Sequence, residues 1–267
     1  MKSKFNIEEF LMKYPYCTEV INDNNIKVKD LEEIYNDYIK YKDSYENQAN
    51  FIANILRSND NVHSVKSRVK VPDRLIEKVI RKAADRKEKY GNDFKFTADN
   101  YKNEINDLIG IRVIHIFKDQ WESIHDFIIK TWKVIEITAN VRDGDNTKIF
   151  DDLNIEVRSR QSGYRSVHYL VEFYPTSQKV IAEIQVRTIF EEGYGEIDHR
   201  LRYSHNEIPE ILKSNLLLFN RIVGSADEMA SLINTLSKEW DVKEKEYKNL
   251  IKDKNDEIER LKREIKS

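Results

Sequence analysis

The stretch "INDLIGIRVIHIF", Ile105 to Phe117, reads as a buried strand that carries two charges: Asp107 at the mouth of the apolar run and Arg112 in its middle. An unpaired buried ion costs several kcal/mol, so each of these needs a partner or a task. In "VHSVKSRVKV" strand alternation sets Lys66, Arg68 and Lys70 on one side, where their mutual repulsion calls for water or a polyanion. "YRSVHYLVEFY" has Val167, Tyr169, Val171 and Phe173 on an apolar face and Tyr164, Ser166 and His168 on the other. "KVIAEIQVR" divides likewise, with Val180, Ala182, Ile184 and Val186 opposite Glu183, Gln185 and Arg187.

Such a division of labour suits a nucleotide site, with cations for phosphates, carboxylates for Mg²⁺ and a ring for a base. Asp107 and Glu183 are the natural metal pair, because Mg²⁺ takes one or two carboxylates together with substrate phosphates. Plainer readings stand beside these. One solvated face is common in antiparallel sheets, Asp107 can cap a turn, and Glu183 can pair with Arg187 or a neighbour. The six histidines lack zinc spacing, and the single cysteine, Cys17, reads as a small buried side chain. Neither GxGxxG nor GxxxxGK[ST] occurs, so a nucleotide here would not rest on a glycine loop.

The elements that must hold these residues follow from periodicity. Leu31, Ile34, Tyr38, Tyr41, Tyr45, Ala49, Ile52 and Leu56 recur at helical intervals between Val28 and Arg57, with no Gly or Pro inside. After the basic strand, Pro72 opens a predicted helix from Asp73 to Tyr90, with Gly91 as its stop. "DQWESIHDFIIKTW" is a short amphipathic helix, "KVIEITANV" a strand and "RDGDN" a turn-rich connection. The last two strands form a hairpin through Pro175 to Gln178, and the chain is helical after Thr188. Strands thus cluster between about residues 62 and 187, with helices before, between and after, which is an α+β plan. We divide the chain into an N-terminal helical segment (1–60), a central domain (61–205) and a C-terminal helical extension (206–267).

In that extension Ile251, Ile258 and Ile265 repeat every seven residues, as do Tyr247, Lys254 and Leu261. The pattern fits paired helices, hence a homo-oligomer, and equally a helix packed back on its own domain. The net charge of −2 excludes a general polycation. Charge is uneven, however, with ten Lys or Arg against four acids from Val62 to Tyr90, which suits an anionic ligand. One cysteine fits a reducing compartment, and the start "MKSKFNIEEFLMKYPY" has no signal-peptide core. With no run of roughly 20 apolar residues to span a bilayer, the expectation is a cytoplasmic protein without a membrane partner.

Five blocks in order, "SRVKVPDRLIEKVIRK", "INDLIGIRVI", "SGYRSVHYLV", "AEIQVRT" and "GYGEIDHRLRY", resemble the synthetase domain of RelA/SpoT-type alarmone synthetases over about Asn61 to Tyr203. The absence of a preceding hydrolase domain resembles the small, synthetase-only members. The resemblance implies a nucleotidyltransferase-like mixed β-sheet flanked by helices, with helical extensions at both ends. It implies transfer of the β,γ-pyrophosphate of ATP to the ribose 3′-oxygen of GTP or GDP, with Mg²⁺, releasing AMP and making (p)ppGpp. Arg68 and Arg112 then match arginines that sandwich the adenine, and Lys70 and Lys78 match lysines on the ATP phosphates. Asp107 matches the Mg²⁺ ligand, and Glu183 matches a second acid that assists the metal and activates the acceptor hydroxyl. Tyr164 matches the tyrosine stacked on guanine, while His168, Arg160 and Gln185 fall on the acceptor side.

Departures concern the acceptor more than the donor. The family often has Ser where Arg74 stands, Lys-x-Asn-Gly-Tyr where this chain has Arg160 to Tyr164, and Trp-Ala in place of Tyr194 and Gly195. Arg160 keeps the charge on a longer arm, and Ser162 loses an amide that could read the acceptor. A second reading therefore keeps the donor chemistry but takes the 3′ end of tRNA as acceptor, with Lys82, Arg86, Lys87 and Lys89 as a backbone track. A third is a non-catalytic nucleotide-binding interaction protein, against which the presence of both acids argues.

Overall fold

The computed structural model describes residues 5–175, 179–204 and 208–266. Two short helices, α1 (Ile7–Lys13) and α2 (Cys17–Asp23), lead into the long helix α3 (Val28–Leu56). Leu31, Ile34, Tyr38, Tyr45, Ala49, Ile52 and Leu56 are buried, as their spacing predicts. Tyr41 is half-buried, with the Lys102 ammonium 4.6 Å from its ring centroid. Cys17 is buried too, and its thiol pKa is pushed up by that burial, which suits a packing role rather than a nucleophile.

Strand β1 (Ser64–Val69) follows, then α4 (Pro72–Arg81) with Pro72 in its first turn, where a missing N–H does no harm. The single helix expected from Asp73 to Tyr90 is two helices. Lys82, at ψ −1°, separates α4 from α5 (Ala83–Tyr90), and neither Gly nor Pro announces that break. After α6 (Tyr101–Glu104) come β2 (Ile109–His115), α7 (Gln120–Thr131) and β3 (Lys133–Val141). The connection that reads as turn-rich contains α8 (Lys148–Asp152) and leads to a strand, β4 (Glu156–Ser159), that sequence patterning passes over. β4 is an edge strand with no fully buried residue, so it carries no apolar alternation. Strands β5 (Ser166–Phe173) and β6 (Val180–Thr188) pair antiparallel as expected, although residues 176–178 of their predicted turn lie outside the described residues.

The six strands form one sheet in the order β1-β2-β6-β5-β3-β4. It is mixed, because β2 runs parallel to β6 and β3 to β4 while the other neighbours are antiparallel. The apolar face, including Ile111, Val113, Ile184, Val186, Tyr169 and Val171, shares one core with Tyr38 and Leu56 of α3, Leu75 and Val79 of α4, and Ile124 and Ile128 of α7. That coverage leaves the other face of the central strands for chemistry.

The chain ends in α9 (Ile189–Ser204) and the 57-residue α10 (Glu210–Lys266). Tyr194 of α9 packs with Leu216 and Val223 of α10 in a second small core. Polar contacts hold α10 to the body: Asn220 Nδ2 donates to the Gly163 carbonyl at 2.8 Å, Lys118 N to Ser231 Oγ at 3.1 Å, and Lys238 Nζ to Asp119 at 2.7 Å. From Thr235 to Glu264 every residue is exposed, including Tyr247, Ile251, Ile258 and Leu261. The seven-residue stripe therefore does not fold back on its own domain. Among the described residues no helix is long and apolar enough to cross a membrane.

Candidate active site

Register assembles the polar face. Lys66 of β1 lies opposite Arg112 of β2, Arg112 opposite Gln185 of β6, and Gln185 opposite His168 of β5. One row along, Arg68 faces Gly110, and Gly110 faces Glu183. The three polar rows seen in sequence thus lie on one continuous surface. Gly110 matters sterically, because a Cβ there would come within 3.3 Å of Arg68 Nε; the glycine lets that arginine lie across the sheet.

On one side stands a cation cluster. Lys70 Nζ lies 2.6 Å and Lys78 Nζ 2.8 Å from the same oxygen, Oδ2 of Asp107. α3 fixes this corner through Tyr38, whose hydroxyl donates to the Lys70 carbonyl at 2.5 Å, while Lys70 N donates to the Leu108 carbonyl at 2.9 Å. Burial pushes the Asp107 carboxyl up, but the two ammonium groups outweigh it and hold the group below the usual carboxylate range. Lys70 is lowered instead, since burial there outweighs the pull of Asp107 and both Lys78 and Arg68 push the same way. Oδ1 of Asp107 is buried and has no hydrogen-bond partner.

On the other side runs a closed ring of contacts. The Tyr164 hydroxyl meets His168 Nε2 at 3.1 Å, and His168 Nδ1 lies 3.2 Å from Glu183 Oε1. Gln185 Nε2 donates to Glu183 Oε2 at 2.9 Å, and Arg187 Nη2 donates to Gln185 Oε1 at 3.1 Å. The Arg187 guanidinium then lies 5.5 Å from the centroid of the Tyr164 ring, closing the circuit. Burial raises the Glu183 pKa, but contact with His168 outweighs it. The charge of Asp107 pushes Glu183 up and Gln185 pulls it down, leaving the carboxyl below its ordinary range.

Arg112 is met by acids that sequence reading missed. Its Nη1 lies 3.2 Å from Oε1 of Glu192 and also contacts Glu196, both on α9. Burial alone would lower the arginine's pKa, and the two carboxylates raise it above its usual value. A Glu192–Glu196 spacing of four on a helix directly after β6 is the signal that could have revealed them. Arg160 joins neither cluster; its Nε donates to Asn140 Oδ1 at 2.6 Å on β3. Arg74 lies 5.2 Å from the Tyr14 ring centroid, and the Ser162 carbonyl accepts from the Tyr194 hydroxyl.

Two other features bear on function. The basic row on α5 is partly occupied, as Arg86 pairs with Glu104 and Lys87 Nζ donates to the Asn24 carbonyl at 2.6 Å. A cavity of about 510 Å³ opens at the ends of β2, β3 and β6, where Trp121, Arg142, Phe150 and Arg165 line it, and its lining includes none of Asp107, Arg112, His168 or Glu183.

A family model described as a region found in RelA / SpoT proteins matches residues 67–208. The chain belongs to that family. Its RelA/SpoT region thus runs from within β1 through α9 and contains both acids. The GTP pyrophosphokinase YwaC of Bacillus subtilis is 25% identical over 210 residues, covering 74% of this chain and 89% of YwaC. A GTP pyrophosphokinase family protein from Streptococcus pneumoniae shares the fold with a TM-score of 0.58 at 22% identity, over 76% of this chain and 95% of that one. Small alarmone synthetase 1 from Bacillus subtilis aligns with a TM-score of 0.56 at 22% identity, over 76% of this chain and 96% of its own. The same synthetase bound to its product pppGpp aligns at 0.53 and 22% identity, over 74% of this chain and 94% of its own. Bound to AMPCPP it aligns at 0.53 and 21%, over 76% and 96%. The expected α+β mixed sheet flanked by helices is the fold observed.

Proposed function

We propose that this protein is an ATP:GTP/GDP 3′-pyrophosphotransferase that makes (p)ppGpp and AMP. The observation that carries the reading is a sheet face whose register sets Arg68, Gly110 and Glu183 in one row, with Lys70 and Lys78 on Asp107 to one side and an aromatic-histidine pair on Glu183 to the other.

Arg68 and Arg112 stack the donor adenine, each contributing about 0.5–2 kcal/mol. Lys70 and Lys78 leave Asp107 for the ATP phosphates. Tyr164 stacks the guanine and His168 and Gln185 hold the acceptor's orientation, whereas Arg160 would have to leave Asn140 to reach it. Glu183, ionised at neutral pH, takes the proton of the ribose 3′-hydroxyl as that oxygen bonds to the β-phosphorus. The α,β-bridging bond breaks and AMP leaves. Proton removal by a positioned carboxylate is worth about 10²–10⁴ in rate, and positioning and charge supply most of the rest. Asp107 and Glu183 suit Mg²⁺: the Asp107 Oδ1 atom is buried without a partner, and two carboxylates are as many as Mg²⁺ commonly takes from protein. When bound, Mg²⁺ would offset negative charge on the transferred phosphates.

Incubation with Mg²⁺, [γ-³²P]ATP and a panel of GTP, GDP and tRNA tests this. The expected outcome is AMP formation that requires a guanine nucleotide, with label on its 3′ position. AMP release indifferent to guanine nucleotide, or label carried to tRNA in preference to GDP, would contradict it. Contacts already made by Arg86 and Lys87 weaken the tRNA reading. The exposed stripe of α10 supports self-association of this chain through its C-terminal helices, and light scattering across a dilution series would test that.

A further inference from the structure

We infer that Glu192 is a positioning residue that couples binding of the donor nucleotide to binding of the acceptor nucleotide; the inference rests on the assignment of Arg112 to the donor and Tyr164 to the acceptor. Glu192 is the one described side chain whose two carboxylate oxygens are divided between the two halves of the face. Oε1 lies 3.2 Å from Arg112 Nη1, and Oε2 lies 3.0 Å from Arg187 Nε. Arg187 is 3% exposed and backs the Tyr164 ring. The Arg187 contact lacks hydrogen-bond alignment, so the link there is one of charge rather than direction.

Gly195 supports the same arrangement. A Cβ at that position would stand 2.6 Å from Arg187 Nη1 and 3.5 Å from the Tyr164 ring, so only the absence of a side chain admits the guanidinium against the ring. Arg187 itself has little freedom to move away, because Gln185 accepts from its other terminal nitrogen.

The physical consequence is a shared cost of ordering. An adenine stacked on Arg112 restrains that guanidinium, which restrains Glu192 and in turn the arginine behind Tyr164. A guanine arriving next then orders less of the site and binds more tightly, and linkage requires the donor to gain by the same factor. Glu196 meets Arg112 but not Arg187, so it serves as an internal comparison.

The test is calorimetric titration of the intact protein with AMPCPP and with GDP, each alone and each with the other saturating, in Mg²⁺ buffer. In the wild type each dissociation constant should fall about 5-fold or more when the other nucleotide is present, by matching factors. Glu192→Gln keeps the shape and removes the charge; it should bind each nucleotide alone within a few-fold of wild type while the coupling factor collapses toward one. Glu192→Asp should restore part of the factor. Glu196→Gln, which loses a carboxylate at Arg112 alone, should likewise bind AMPCPP within a few-fold of wild type but keep the factor. Full coupling in Glu192→Gln, or a factor near one in a wild type that binds both nucleotides, overturns the inference and leaves the proposed activity standing. Failure of the wild type to bind AMPCPP or GDP alone would overturn the activity and the inference together.

Discussion

The donor and acceptor halves of the polar face are built on opposite plans. Around Asp107, two lysines converge on one carboxylate oxygen, and the balance of charge holds the corner together. Around Glu183, five side chains pass hydrogen bonds and one cation–π contact around a ring in which each member has a partner on both sides. The first arrangement is undone by any polyanion that competes for the lysines, which suits a site whose ligand is a triphosphate. The second holds its shape without ligand, which suits a site that must present one hydroxyl in one direction. Substitutions should accordingly weaken the two halves in different ways.

The largest effect is expected at Glu183. Glu183→Gln keeps an acceptor for Gln185 but cannot take a proton, so kcat should fall by about 10²–10⁴ while nucleotide KM values change little. Steady-state AMP production measures this, and a KM change without loss of kcat would place Glu183 in binding only. Next is Gly195→Ala, whose methyl would displace Arg187 from the Tyr164 ring. The acceptor KM should rise by roughly tenfold, about 1.4 kcal/mol of acceptor binding, while the affinity for AMPCPP alone stays nearly unchanged. Equal rises for both substrates would erase the distinction between the halves. A smaller change is expected from Tyr164→Phe, which keeps the stacking ring and removes only the hydroxyl at His168, so acceptor KM should rise a few-fold at most.

The smallest functional effect lies outside both halves, at Asp227 of α10. This side chain is 1% exposed, its Oδ1 lacks a hydrogen-bond partner, and Lys118 Nζ is 3.9 Å from Oδ2. Burial, then the neighbouring Glu191, push its carboxyl up to about 7, against the weaker pulls of Lys118, Thr188 and Arg165. Between about pH 4 and that value the folded chain holds a proton that the unfolded chain has released, so this group's contribution to stability falls as pH rises through that window. Asp227→Asn should raise the Tm by several degrees at pH 8 and hardly at all at pH 4, as thermal melts would reveal, with activity unchanged.

Much of this face was legible in the sequence because strand parity is strict. Lys66, Arg68, Glu183, Gln185 and His168 fall on one side by alternation alone, and pairing register did the rest. The apolar stripe of α3 was equally plain. What escaped had weak local signals: β4, an unburied edge strand; the break at Lys82, which lacks a breaker residue; and the two acids of α9, whose role depends on a helix lying over Arg112. No local pattern reveals that Arg160 reaches Asn140 rather than either cluster, since that contact joins residues twenty apart across a strand end.

The central claim is that Asp107 and Glu183 act in one machine despite their opposite surroundings. It is tested most directly by kcat/KM for pyrophosphoryl transfer in Asp107→Asn, Glu183→Gln and the double variant, each confirmed as folded. Residues that work as a unit are not additive, so the double variant should be no slower than the worse single variant within a few-fold. Losses that multiply would mean that the two carboxylates serve separate sites.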